Sequence, residues 1–380
     1  MTNSKLPIKP AGALRMCTIS DVHLGHRKTP TYAIISELEH YIVNPVSMSQ
    51  IDLLNITGDL FDRLLNLPFN DVGIIHLFFI KFLTLAKQFN VKVRVLEGTP
   101  SHDWKQSKLL VQINDNNAIG ADLHYATELS IVEDTSLNLT IGYIPDEWST
   151  GPEAATKEFL ELMRTYGHRR IDLLLMHGMF SFQVPPNVKI PSYDPDVFAD
   201  LVRYMIFIGH DHKFKTYKNI IVPGSTSRLA HNEEAAKGFI ITDIVDGVVQ
   251  NHFVENTLAT NYITLNLTDR TDEECIELIE QAIGSLSEKQ AFLKLKLNAT
   301  TTLRKFVKER QKTTSVAIEL EFLSNEISTL IESADFSLKE VTVNITSENV
   351  YNLLLTEMNN PEIDIDIYSS EMKTIMERCA

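Results

Sequence analysis

The chain has 380 residues, 44% apolar and 22% charged, enough for two or three globular cores at roughly 150 residues per domain. Its 35 Lys and Arg against 50 Asp and Glu leave a net charge of −15, which excludes a surface coated in positive charge for nucleic acid but allows a local basic patch. Three scattered cysteines (Cys17, Cys275, Cys379) exclude a disulfide framework, and the most apolar segment, residues 73–86, is too short and too interrupted by His76 and Lys81 to cross a bilayer, so a soluble cytoplasmic protein is expected.

Taken in order, apolar runs at residues 14–19, 51–57, 91–96, 171–176 and 204–208 predict buried strands, and amphipathic stretches at 31–42, 71–89 and 152–166 predict helices between them. This alternation favours an α/β domain over residues 1–255. Strands become denser at 137–144, 219–222 and 238–244, and Asp246-Gly247 predicts a hairpin turn into 248–254. Near residue 256 the pattern changes. A small α+β unit over 256–345 is expected, with strands at 262–267, 291–297 and 337–345, a helix at 272–286 and a basic helix at 303–312. Residues 346–380 hold seven acids and two bases, and their two short apolar patches mark a helical, acidic tail.

The polar residues fall where the strands end. The first strand runs into Asp21-Val22-His23, the second into Gly58-Asp59-Leu60-Phe61-Asp62, and the third into Gly98-Thr99-Pro100-Ser101-His102-Asp103. A fourth ends at His177-Gly178 and a fifth at Gly209-His210-Asp211-His212. Ligands of α/β sheets bind just beyond the carboxyl ends of strands, and five of the 12 histidines lie at such points beside several aspartates. Imidazole and carboxylate together suit manganese, iron or zinc better than magnesium or calcium. Each motif alone is more often a turn or a core histidine; all five in this order make a two-metal site, which needs a bridging carboxylate and several terminal ligands, the expectation. No G-x-x-x-x-G-K-[ST] loop is present, so ATP hydrolysis within this chain is not expected.

This order of motifs resembles the calcineurin-like metallophosphoesterases, and within them the SbcD-type nucleases of double-strand-break repair in bacteria, phages, archaea and eukaryotes. Gly58-Asp59-Leu60-Phe61-Asp62-Arg63 and Val222-Pro223-Gly224-Ser225-Thr226-Ser227-Arg228 carry the more specific likeness. The resemblance implies a two-sheet α/β/β/α sandwich, then a capping domain at 256–345 and a tail that docks a partner. By the same resemblance Asp21, His23 and His212 hold one manganese ion, His177 and His210 a second, Asp59 bridges both, and His102 assists phosphodiester cleavage. Asp62 and Arg63 lie near the bridge, as substrate contacts or as a structural ion pair. One departure stands out. The family has Gly-Asn-His-Asp, whose asparagine ligates the second metal, whereas Ser101 precedes His102 here, so Ser101 is expected as a weaker ligand of a loosely held second ion.

Implied by the resemblance, then, is a manganese-dependent DNA exonuclease and endonuclease. It would form a homodimer through the helix at 71–89, whose apolar residues cover nearly the whole circumference, and would bind an SbcC-type, SMC-like ATPase through its tail. Lys213, Lys215 and Lys218 after the last motif, and Lys305 and Lys308 in the basic helix, are candidate phosphate contacts. Two other functions compete: hydrolysis of small cyclic nucleotides or dinucleotides, and a catalytically weak scaffold of the same fold.

Overall fold

Five apolar runs that end in polar motifs become parallel strands of two sheets, and this decides where the polar residues meet. A computed structural model describes residues 6–65, 70–146, 151–286, 291–298 and 300–322; the expected strand at 337–345 and the acidic tail lie outside them. The chain divides into two units, Met1–Leu323 and Ser324–Ala380, and the described residues all belong to the first.

In the first sheet, β1 (Leu14–Ile19), β2 (Leu53–Thr57), β3 (Lys92–Leu96) and β4 (Leu123–Ala126) lie parallel, and β11 (Gly238–Val245) and β12 (Val248–Glu255) continue antiparallel beyond β1. The β11–β12 turn places Asp246 and Gly247 at positive φ, as the Asp-Gly pair predicts. In the second sheet, β6 (Leu139–Ile144), β7 (Ile171–His177), β8 (Val202–Gly209) and β10 (Ile220–Val222) lie parallel, edged by antiparallel β5 (Ser130–Asp134) and β9 (Lys215–Tyr217). Strands β4, β5 and β9 have no strong sequence signal. They are short sheet-edge strands with half-exposed residues, and an apolar run is needed only where both faces are covered.

Three stacked cores make the layers. Met16, Leu53, Leu96, Leu173, Leu175 and Phe207 fill the space between the sheets. On the outer face of the first sheet, α1 (Thr31–Tyr41), α3 (Asn70–Gln88) and α5 (Lys108–Asn116) bury Ile34, Phe79 and Leu110 against Ile56 and Val93. The short α2 (Pro45–Met48) and α4 (Pro100–Asp103) are linkers to these strands. On the far face of the second sheet, α6 (Gly151–Thr165) and α7 (Pro195–Leu201) bury Phe159, Met163 and Phe198. Each such large apolar side chain contributes about 1.5–3 kcal/mol on burial. A buried bidentate pair, Arg15 Nε and Nη2 to the Asp243 carboxylate at 2.7 Å each, fixes the β1–β11 register.

Beyond β12, β13 (Asn261–Asn266), β14 (Ala291–Leu297) and β15 (Ala317–Phe322) form a third, parallel sheet. Helices α8 (Asp272–Leu286) and α9 (Thr301–Thr313) cover one face of it, with Ile279, Leu293, Leu295 and Val307 in a separate core. The opposite face meets the loops of the first two sheets: Thr29 Oγ1 lies 2.8 Å from Tyr262 Oη, and Lys28 Nζ 2.6 Å from Glu319 Oε1. Helix α3 is not apolar on every side in use. It buries Ile75, Phe78, Phe79, Phe82 and Leu83, while Leu77 is 69% and Ile74 40% exposed. No helix among the described residues is long and apolar enough to cross a membrane.

Candidate metal centre

Parallel strands end on one side of their sheet, so β1, β2 and β3 of one sheet and β7 and β8 of the other deliver their following residues to one edge of the sandwich. The turns there are locked together through the main chain. Asp21 N donates to Gly58 O (3.2 Å), His23 N to Asp59 O (3.0 Å), and Gly178 N to Gly209 O (3.2 Å). Gly58 is required: a Cβ there would come within 2.1 Å of His177 Nδ1, and its φ is +85°. Among the described residues eleven non-glycines have positive φ, and four of them are Asp21, His23, Asp59 and His210. Such backbone is costly unless the surroundings enforce it, and it clusters where side chains are aimed at a ligand.

The side chains make two lobes around Asp59. In the first, Asp21, His23 and His212 bring ligand atoms within 4.8 Å of one another; His23 Nε2 and His212 Nε2 stand 3.1 Å apart, and His212 Nε2 is 3.8 Å from Asp21 Oδ1. In the second, Asp59, His177 and His210 do the same. Asp59 spans both, with Oδ1 at 3.3 Å from His177 Nε2 and Oδ2 at 3.9 Å from His23 Nε2. His177 Nδ1 lies 2.8 Å from Thr57 O and donates to it, which orients the ring and leaves Nε2 facing Asp59. His102 borders the first lobe: its ring meets that of His23 edge-on at 4.9 Å, and its Nδ1 donates to Asp62 O at 2.6 Å. Asp62 Oδ1 is 3.3 Å from His23 Nδ1 without hydrogen-bond geometry, and that ring nitrogen is buried with no other partner.

Ser101 is not in this cluster. Pro100 opens α4, so Ser101 falls on its exposed side, where its carbonyl accepts from Trp104 Nε1. The residue that enters the second lobe is Thr99, the last extended residue before that helix. Its N–H donates to Asp59 Oδ1 (2.6 Å), and its Oγ1 lies 3.3 Å from Asp59 Oδ2, 3.2 Å from His177 Nε2 and 3.3 Å from His210 Nδ1. The residue of this loop that faces the second lobe is thus Thr99, directly after Gly98, where the sequence pattern predicts Ser101. Asp103, fully buried, was also not anticipated as a site residue; it accepts from Phe61 N (2.9 Å) and Gly98 N (2.8 Å) and ties the second and third loops together. Burial, and then the negative charge of Asp59 and Glu97, holds its carboxyl well above the usual range.

The other predicted residues are placed unevenly. Lys213 follows His212 at the rim and is exposed, and Arg63 lies on the loop after Asp62. Lys215 pairs with Asp211 and Lys218 with Asp196. Lys305 and Lys308 are on α9, which covers the face of the third sheet opposite to the one that meets the metal-site loops, so the fold does not bring them to the site.

Charge in the cluster is balanced internally. Burial disfavours ionised Asp59, yet His177, and with it His23 and His102, holds the carboxyl well below the usual range. Burial also disfavours a charged His177, and Asp59 outweighs this, raising the ring to about 10. His210 is pushed down by burial and by the charge of His177. Imidazole nitrogens and carboxylate oxygens that converge within 4.8 Å of one another in this way fit a metal ion.

No family model matches this chain, and no curated protein does. Among the solved structures that are similar, one has 11% identity and a TM-score of 0.38, over 64% of this chain and 99% of that one, a likeness too remote to carry an argument.

Proposed function

We propose that the chain is a metal-dependent phosphodiesterase acting on DNA, an exonuclease and endonuclease of the SbcD type that its motifs resemble, with two manganese ions as cofactors. The observation that supports this reading is Asp59: its two carboxylate oxygens face different histidines, Oδ1 toward His177 and Oδ2 toward His23, an arrangement that would suit a pair of cations. Asp21, His23 and His212 would hold one ion, and His177, His210 and the Thr99 hydroxyl the other. When bound, the pair supplies an activated water and positive charge against the phosphoryl oxygens.

The remaining roles belong to the chain itself. His102 donates through Nδ1 to a main-chain carbonyl, which presents its Nε2 outward beside the first lobe, in place to hold a proton for the leaving oxygen. Asp103 and Thr99 keep the loops of β2 and β3 in register with Asp59. The exposed Leu77 and Ile74 on α3 favour a second copy of the chain as partner. An SbcC-type ATPase is proposed as the second partner through the tail, on the sequence resemblance alone.

The deciding experiment incubates metal-stripped protein with manganese and three substrates: bis-p-nitrophenyl phosphate, labelled duplex DNA and cyclic nucleotides. Manganese-dependent hydrolysis of the first two, abolished by Asp59→Asn, is expected. Hydrolysis of cyclic nucleotides with intact DNA would favour the small-molecule enzyme, and no hydrolysis of any substrate would leave a scaffold.

A further inference from the structure

Behind the imidazole of His212 lies an acid–base pair that belongs to none of the sequence motifs. Glu233 Oε1 is 2.6 Å from His212 Nδ1 and accepts its proton-bearing nitrogen. The other oxygen, Oε2, accepts from Leu229 N at 3.0 Å and lies 3.0 Å from Lys237 Nζ. Lys237 is only 2% exposed, and its ammonium donates also to His212 O (2.8 Å) and Ser225 Oγ (2.8 Å). A buried ammonium is expensive unless fully partnered, so the pair and its three main-chain and hydroxyl contacts stand or fall as a unit.

The need for such a unit is visible in the exposure of the donors. The side chains of His177 and His23 are 0% and 3% exposed, so packing restrains their rings, aided in His177 by the hydrogen bond to Thr57 O. His212 is 28% exposed at the rim and is followed by exposed Lys213. Packing does not fix that ring; a hydrogen bond at Nδ1 does. It also sets the tautomer, turning the Nε2 lone pair toward His23 and Asp21.

We propose that Glu233 is a positioning residue of the metal centre: braced by Lys237, it orients His212 as a donor to the ion of the first lobe. This rests on the metal-centre reading above and adds to it a residue 21 positions beyond the ligand it serves. An outer carboxylate of this kind is worth about 10–100-fold in metal affinity.

The test is a manganese titration of the full chain by calorimetry, with the thermal midpoint of the metal-stripped protein measured alongside. In Glu233→Ala, one of the two sites is expected to weaken about 10–100-fold while the other keeps its affinity. Glu233→Gln, which retains an acceptor for Nδ1 but not the charge, is expected to restore most of that loss and to stay about 3–10-fold weaker than wild type. A Glu233→Ala chain that melts earlier but binds manganese like wild type would make the residue merely structural and overturn the proposal. If Glu233→Ala does not fold, Glu233→Gln decides, and wild-type affinity there overturns it equally. A wild-type chain that takes up no manganese would instead strike the metal-centre reading itself.

Discussion

Thr99 has its hydroxyl within 3.3 Å of one carboxylate oxygen of Asp59 and of ring nitrogens from His177 and His210, so it is the natural neutral donor of the second lobe. Thr99→Val keeps the shape and the main-chain hydrogen bond to Asp59 and removes only that oxygen. Manganese titration is expected to show the second site weakened about tenfold with the first unchanged, since an outright donor is lost. Thr99→Asn, supplying the amide that the resembled family carries, is expected to tighten the second site relative to wild type; equal or weaker binding would mean that Thr99 is not a ligand position. The aspartates and histidines of this centre are legible in the sequence because each closes an apolar run. Thr99 is not, because a threonine after a glycine looks like an ordinary turn, and the eye goes to the polar residue beside His102. Pro100 decides between them by starting a helix that carries Ser101 outward. Glu233 escapes for a different reason: its partner is brought to it only by tertiary folding, through a segment with no periodicity.

Helix α1 is tied to the rest of the molecule by a carboxyl group that titrates. Glu37, 5% exposed, accepts from Asn256 Nδ2 (2.7 Å) and lies 3.3 Å from Ser227 Oγ, which joins α1 to the segment leading into the third sheet. Burial raises its carboxyl to about 7, partly offset by those hydrogen bonds and by Arg228. Because the folded value lies above the unfolded one, the folded state holds the proton more tightly. The associated stability is present in full below the ordinary carboxyl range and is lost as pH rises toward about 7. The loss is at most about 3.5 kcal/mol, at about 1.4 kcal/mol per pH unit of difference. Thermal melts of the metal-stripped protein from pH 5 to 8 should therefore decline less steeply in Glu37→Gln than in wild type, with the variant the more stable at pH 8. Parallel curves would show that Glu37 does not titrate in this range. At this scale the sequence is a good guide wherever an apolar run or a clear apolar period marks the element: β1, α8 and β14 begin and end where their patterns predict. It fails at edges and linkers such as β5 and α4, which are held by neighbours and by Pro or Gly geometry rather than by periodic apolar residues. The circumference of α3 is also misleading. Most of its apolar residues are buried in the first unit, and only a strip at Ile74 and Leu77 is left for another surface.

Across the whole molecule, a net charge of −15 means that any polyanion must be met by a local concentration of cations rather than by the general field. Cations are present on two faces. The densest run, on α9, lies on the side of the third sheet away from the metal-site loops, and its Arg310 is engaged with Glu280. Closer in, Lys215 and Lys218 are paired with Asp211 and Asp196, whereas exposed Lys213 adjoins His212 itself. Lys213 thus stands beside a residue of the metal centre, whereas α9 packs on the far face of the third sheet. Lys213→Glu is therefore expected to weaken binding of duplex DNA and to make the salt dependence shallower by about one phosphate contact. The double reversal Lys305→Glu with Lys308→Glu should leave affinity within about twofold, because α9 packs on the face of the third sheet away from the metal-site loops. Fluorescence anisotropy with a labelled duplex, measured from low to moderate salt without manganese turnover, reads both variants. The reverse ranking, with the α9 variant losing affinity and slope while Lys213→Glu keeps both, would route the nucleic acid over the third sheet.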